Sequence, residues 1–130
     1  MTFGRQNQEW DKLTEATLKF LIERARLGRP TTYTELNATL VHRTGLRGFD
    51  FDRADERAAM GHLLWRAVEL NRPRTGLMIS ALVIYLGEND AGTGFYGLAE
   101  ELGLLRRGAS QDEKEAFCVE QLNGLYRYYS

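Results

Sequence analysis

The sequence predicts a mainly α fold with a small β component, and three observations support this. Apolar residues recur at helical spacing through several long segments. One largely apolar, partly β-branched run lies between Gly76 and Gly87, and turn-forming residues are confined to short stretches between these segments. Hydrophobic residues make up 43% of the chain and charged residues 27%, which is ordinary usage for a folded protein and far from the signature of disorder. With 130 residues, no internal repeat, no low-complexity tract and no long linker, residues 1–130 are expected to form one domain around one core.

The first helix is expected over residues 7–27, where Trp10, Leu13, Thr17, Leu18, Phe20, Leu21 and Ala25 share one face and neither Pro nor Gly intervenes. Gly28 ends it, since glycine takes the left-handed cap conformation without a Cβ clash, and Arg24 and Arg26 suit the negative end of the helix dipole. After the connection Arg29-Pro30-Thr31, a capping box with Thr32 as N-cap and Glu35 three residues on opens a short second helix reaching about His42. Residues 43–52, with Gly45, Gly48, Phe49 and Phe51, follow neither period and read as a loop. A third helix begins near Asp52 to Asp55, where carboxylates favour a helix start. It runs through Met60, Leu63, Leu64, Ala67, Val68 and Leu70 and stops at Asn71-Arg72-Pro73.

Residues 77–86 read as a buried strand, and residues 87–94 as a turn-rich segment. Phe95 and Tyr96 then either start a short returning strand or enter a helix directly. A short helix over residues 98–105 ends at Gly103 or Gly108, and Ser110-Gln111-Asp112-Glu113 opens a last helix carrying Phe117, Leu122, Leu125 and Tyr126.

Composition limits the chemistry. The single Cys118 excludes an internal disulfide, and with only His42 and His62 beside it no structural zinc site is expected. The first residues lack the apolar stretch of a signal peptide and no apolar run reaches about 18 residues, so a cytoplasmic protein without a membrane span is expected. Gly92-Thr93-Gly94 lacks the Lys-Ser/Thr pair of a phosphate loop and reads as a tight turn. Both histidines read as structural residues, and acidic neighbours make Cys118 an inert thiol. The carboxylates Asp50, Asp52, Asp55 and Glu56 are explained by the helix dipole. No catalytic residue, metal or cofactor is expected.

Net charge is −1, so any nucleic-acid binding depends on where the cations stand. Of 17 cations 14 are arginine, whose planar fork suits phosphate, although arginine-rich codon usage gives the same count. Arg43, Arg47, Arg53 and Arg57 surround the start of the third helix. They form either a phosphate-facing edge or ion pairs with Asp52, Asp55 and Glu56.

The order Arg29-Pro30-Thr31-Thr32-Tyr33-Thr34-Glu35-Leu36, Gly61, Asn71 and Pro73 resembles the DNA-binding domain of alkyltransferases and alkyltransferase-like proteins. The resemblance covers about residues 29–95 and implies a winged helix-turn-helix with extra N- and C-terminal helices. It sets the third helix as recognition helix and residues 87–95 as a small β wing that includes Asn89 and Thr93. The family's Pro-Cys-His-Arg-Val aligns with Ile79-Ser80-Ala81-Leu82-Val83, which has neither the thiolate nor its histidine, so alkyl transfer is not expected. The expectation is therefore a non-catalytic module contacting double-stranded DNA through Arg43, Arg47, Arg53, Arg57 and the wing. The alternative is a protein-interaction or homodimerising module, for which Tyr126, Tyr128 and Tyr129 on the last helix are the interface candidates.

Overall fold

In the computed structural model, which describes residues 1–85 and 93–130, the elements run α1 (Asn7–Leu27), β1 (Thr31–Thr32), α2 (Tyr33–Thr44), α3 (Ala54–Thr75), a 3₁₀ turn (Ile79–Leu82), β2 (Val83–Ile84), α4 (Thr93–Glu101) and α5 (Gln111–Tyr129). The fold is mainly α, with one two-stranded parallel sheet among the described residues.

α1 is the central element, because α2, α3, α5 and the 3₁₀ turn all pack against it. Its inward stripe of Trp10, Leu13, Phe20, Leu21 and Ala25 is buried, as the spacing of those residues requires. Gly28 closes the helix at φ 67°, its N–H donating to the Ala25 carbonyl. In α2 the Thr32 hydroxyl accepts from the Glu35 N–H at 3.1 Å, while the Glu35 carboxylate binds the Thr31 hydroxyl and Arg24. α2 runs on to Thr44 and its cap Gly45, slightly past the expected end.

Two differences from the sequence reading have a clear physical cause. Pro73 does not end α3, which continues to Thr75 and its cap Gly76. Proline there removes the donor to one carbonyl, that of Glu69, and both residues face solvent, where water replaces the lost bond. The expected strand over residues 77–86 is instead a 3₁₀ turn followed by two strand residues. Met78 to Val83 are enclosed by helices on nearly every side, and only β1 offers a strand edge. The backbone groups are therefore satisfied locally: Ala81 N–H donates to Met78 O at 3.1 Å and Val83 N–H to Ser80 O, while the Gln121 side chain accepts from Met78 N–H at 2.8 Å.

β1 pairs Thr31 with Val83 and Thr32 with Ile84, tying the start of α2 to the end of the 3₁₀ turn. The expected wing falls mostly on residues 86–92, including Asn89, which lie outside the described residues. Thr93 opens α4, so Phe95 and Tyr96 enter a helix directly. α5 begins at Ser110, whose hydroxyl accepts from the Glu113 N–H at 3.2 Å while the Glu113 carboxylate returns to Ser110 N–H, a complete capping box.

Candidate functional site

The connection of residues 45–53 between α2 and α3 is held from an unexpected direction. Thr2 and Arg5 exchange two backbone hydrogen bonds of 3.0 Å, folding the first residues into a hook in which Phe3 adopts a φ of 51°. The hook inserts Arg5 under the connection. Its guanidinium donates to the carbonyls of Arg47 and Gly48 at 3.0 Å each and lies 4.3 Å from the Phe49 ring centroid. Arg5 is sealed from solvent, and that burial, followed by the nearby Arg47 charge, lowers its pKa from the ordinary guanidinium value. Asn37 completes the clamp, donating to Phe49 O and accepting from Phe49 N–H.

This connection delivers Phe51 to the largest concavity described, a cleft of about 940 Å³ bounded by the start of α2, the outer face of α3, the 3₁₀ turn and α4. Tyr33, Phe51, Trp65, Tyr85 and Phe95 give it aromatic walls, with Arg57 and Glu101 as its charged groups. Tyr33 lies between two of these rings, 6.3 Å from Phe51 and 5.1 Å from Tyr85, centroid to centroid. Trp65 is 39% exposed, which for an indole on the solvent side of a helix leaves a broad apolar face available. Ser80 is 4% exposed and also lines the cleft, yet its Oγ has no hydrogen-bond partner among the described residues. A buried hydroxyl without a partner costs about 1–3 kcal/mol. Apolar walls with a few convergent polar atoms are the usual make-up of a ligand site.

Three of the four arginines expected at the edge of the third helix are occupied. Arg43 forms a two-pronged pair with Glu23 at 3.0 and 2.9 Å, which holds the Glu23 carboxyl below its ordinary pKa. Arg47 binds the buried Glu56 at 2.9 Å, and Arg53 is paired with Asp55 at 3.1 and 2.8 Å. Arg57 has no carboxylate partner among the described residues; it donates to the Phe51 carbonyl at 2.7 Å and lines the cleft.

The acidic cluster is spent in the same way: Glu56 accepts from Arg47 and Asp50 N–H, and Asp50 accepts from Asp52 N–H at 3.1 Å. Among the described residues no group of His, Cys, Asp and Glu side chains could hold a metal ion. His62 stacks on Trp65 at 5.6 Å and meets Trp10 edge-on at 4.8 Å, and burial followed by the Arg66 charge lowers its pKa. Of the C-terminal tyrosines, Tyr129 accepts a 2.6 Å hydrogen bond from Asn71, Tyr126 packs against the core, and Tyr128 is exposed.

The sequence singled out Arg57 as a candidate DNA contact, and it lines the cleft, but the aromatic walls were missed. The signal was present in Trp65, a large aromatic residue on the polar side of the α3 pattern, and in Phe51, an aromatic residue in a loop without periodicity. The chain matches no protein-family model, no curated protein and no solved structure. No helix among the described residues is long and apolar enough to cross a membrane.

Proposed function

We propose that this chain is a non-catalytic DNA-binding module whose aromatic cleft receives a base turned out of the duplex stack. The observation that carries the reading is the cleft itself: five aromatic side chains and, in its wall, a buried hydroxyl with no partner among the described residues. An unstacked base offers flat faces to aromatic side chains and hydrogen-bonding edges to a hydroxyl, which can donate and accept. The resemblance to alkyltransferase-like proteins supports the reading, because it sets Ser80 where that family carries its cysteine, and Ser80 lines the cleft. A serine nucleophile needs a base to take its proton. Among the described residues the Ser80 hydroxyl is bonded to none, which favours binding over chemistry.

With net charge −1 and Arg43, Arg47 and Arg53 paired, those three arginines supply little of the affinity, and ring burial in the cleft supplies a large share of it. The test is fluorescence anisotropy at two salt concentrations with a matched duplex and with one containing a single mispaired base. Tighter binding of the mispaired duplex, lost in Trp65→Ala, is expected, since a mispaired base is easier to extrude. Equal binding of both duplexes, or none at low salt, overturns the proposal. The three arginine–carboxylate pairs favour a second reading, a protein-interaction module. That reading gains if DNA binding is absent at low salt and light scattering shows a homodimer.

A further inference from the structure

Beside the aromatic cleft is a second cavity of about 440 Å³, walled by Val68, Arg72, Pro73 and Leu102, with Trp65 and Leu98 lining both spaces. The Arg72 guanidinium has no hydrogen bond or ion pair among the described residues, and its Nε is buried without a partner there. Glu69 lines the same cavity one turn earlier and is not bonded to the guanidinium. An arginine that lines a cavity and has no carboxylate partner among the described residues offers its guanidinium fork to a bidentate acceptor such as phosphate.

Arg57, Gly61, Trp65 and Arg72 follow one another at helical spacing along one face of α3. At ~1.5 Å rise per residue, Arg57 and Arg72 are about 22 Å apart along the axis, and Trp65 and Arg72 about 10 Å. Phosphates rise ~3.4 Å per nucleotide along the duplex axis and stand farther apart on an unstacked strand, so one nucleotide cannot reach from the first arginine to the second, whereas a strand can. Both arginines lack a carboxylate partner among the described residues, unlike Arg43, Arg47 and Arg53.

We propose that the cavity closed by Arg72 is a phosphodiester subsite, in which a DNA strand with its base in the aromatic cleft runs along α3. Arg72 takes a backbone phosphate at most about three nucleotides from that base, since the ~3.4 Å duplex rise is the shortest repeat a strand offers. This rests on the reading of the cleft as a base site. Arg72 also stands near the C-terminal end of α3, where a cation favours the helix dipole, and the experiment separates that structural role from phosphate binding.

Binding to the full chain is measured with four probes: thymidine, inorganic phosphate, a five-nucleotide thymidine single strand, and the same strand with neutral methylphosphonate linkages. The wild-type protein is expected to bind thymidine weakly and the charged strand at least tenfold more tightly than the neutral one. Arg72→Gln is expected to leave thymidine binding unchanged and to bind the charged and neutral strands alike. Its log-affinity against log-salt slope is expected to fall by about 0.7 relative to wild type. Arg72→Gln that keeps the full preference for the charged strand overturns the subsite while leaving the base reading intact. Failure of wild type to bind thymidine or either strand overturns the base reading, and the subsite with it. Inorganic phosphate competing as strongly as the strand reassigns the cavity to a free anion and also overturns the proposal. If Arg72→Gln does not fold, the charged-against-neutral comparison is repeated with Arg72→Met, which keeps an unbranched apolar stem but loses the charge: an unchanged preference for the charged strand in that variant is the overturning result.

Discussion

Ser80 and Thr17 each carry a buried hydroxyl with no partner among the described residues, and Ser80 is also a lining residue of the cleft. Removing such a hydroxyl relieves a desolvation cost of about 1 kcal/mol or more. Ser80→Ala and Thr17→Val are therefore both expected to raise the urea midpoint, whereas only Ser80→Ala weakens base binding; a stabilised Ser80→Ala with unaltered binding would show that the hydroxyl recognises nothing. His62 gives a pH dependence whose sign follows from its surroundings. Burial and Arg66 depress its pKa in the folded state, so around and below the ordinary value of about 6.5 the unfolded chain binds the proton first. This contribution is fully present above pH ~6.5 and is lost as pH falls toward the depressed folded value. Denaturant titrations from pH 8 to 5 are expected to show this loss in wild type and not in His62→Gln. At this scale, residues that act through neighbours in the chain were legible and those that act across it were not. Arg5 looked like one more surface cation, because nothing in Met1 to Gln6 announces a hook whose partners are the Arg47 and Gly48 carbonyls.

Helix boundaries set by local hydrogen bonding were the most readable elements. The expected limits of α1 match the structure, and both Thr32 and Ser110 serve as N-caps, because a cap depends on side chains within about one turn. Thr32→Ala and Ser110→Ala are each expected to cost about 1 kcal/mol, seen as a lower melting temperature. Thr32→Ala should have the further effect of loosening Tyr33, which heads α2 and walls the cleft, so its base binding should fall while that of Ser110→Ala does not. The segment from Met78 to Ile84 was misread because its apolar pattern shows burial but not what buries it. A strand needs an edge to pair with, and the short β1 supplies only two residues of it. The helical surroundings therefore leave the 3₁₀ turn as the way to satisfy the backbone, and it is this turn that places Ser80 at the cleft.

Across the whole molecule, the long-range pairing of charge was the least legible feature. Arg53 and Asp55 are two residues apart, but Arg43 meets Glu23 across 20 residues of sequence, and only the packing of α2 on α1 brings them together. The same applies to the aromatic end of α5, an interface candidate from the sequence, because its intramolecular partners lie on distant elements. Leu125 is wholly buried, Asn71 on α3 donates to the Tyr129 hydroxyl, and Gly124 lies so close to Leu77 that an added Cβ would stand 3.0 Å from its methyl carbons. α5 thus closes the core, and deleting it from Gly124 onward removes packing and exposes apolar surface on α1 and the 3₁₀ turn. Leu125→Ala is expected to destabilise by about 2–5 kcal/mol, the usual cost of emptying a buried leucine site. Tyr128→Ser, at the exposed member of the three tyrosines, should change neither the urea midpoint nor the sedimentation coefficient. A shift of a wild-type dimer to monomer in Tyr128→Ser alone would restore the terminal tyrosines as an interface. Loss of folding in Leu125→Ala with Tyr128→Ser unchanged would assign the end of α5 to the core of its own chain.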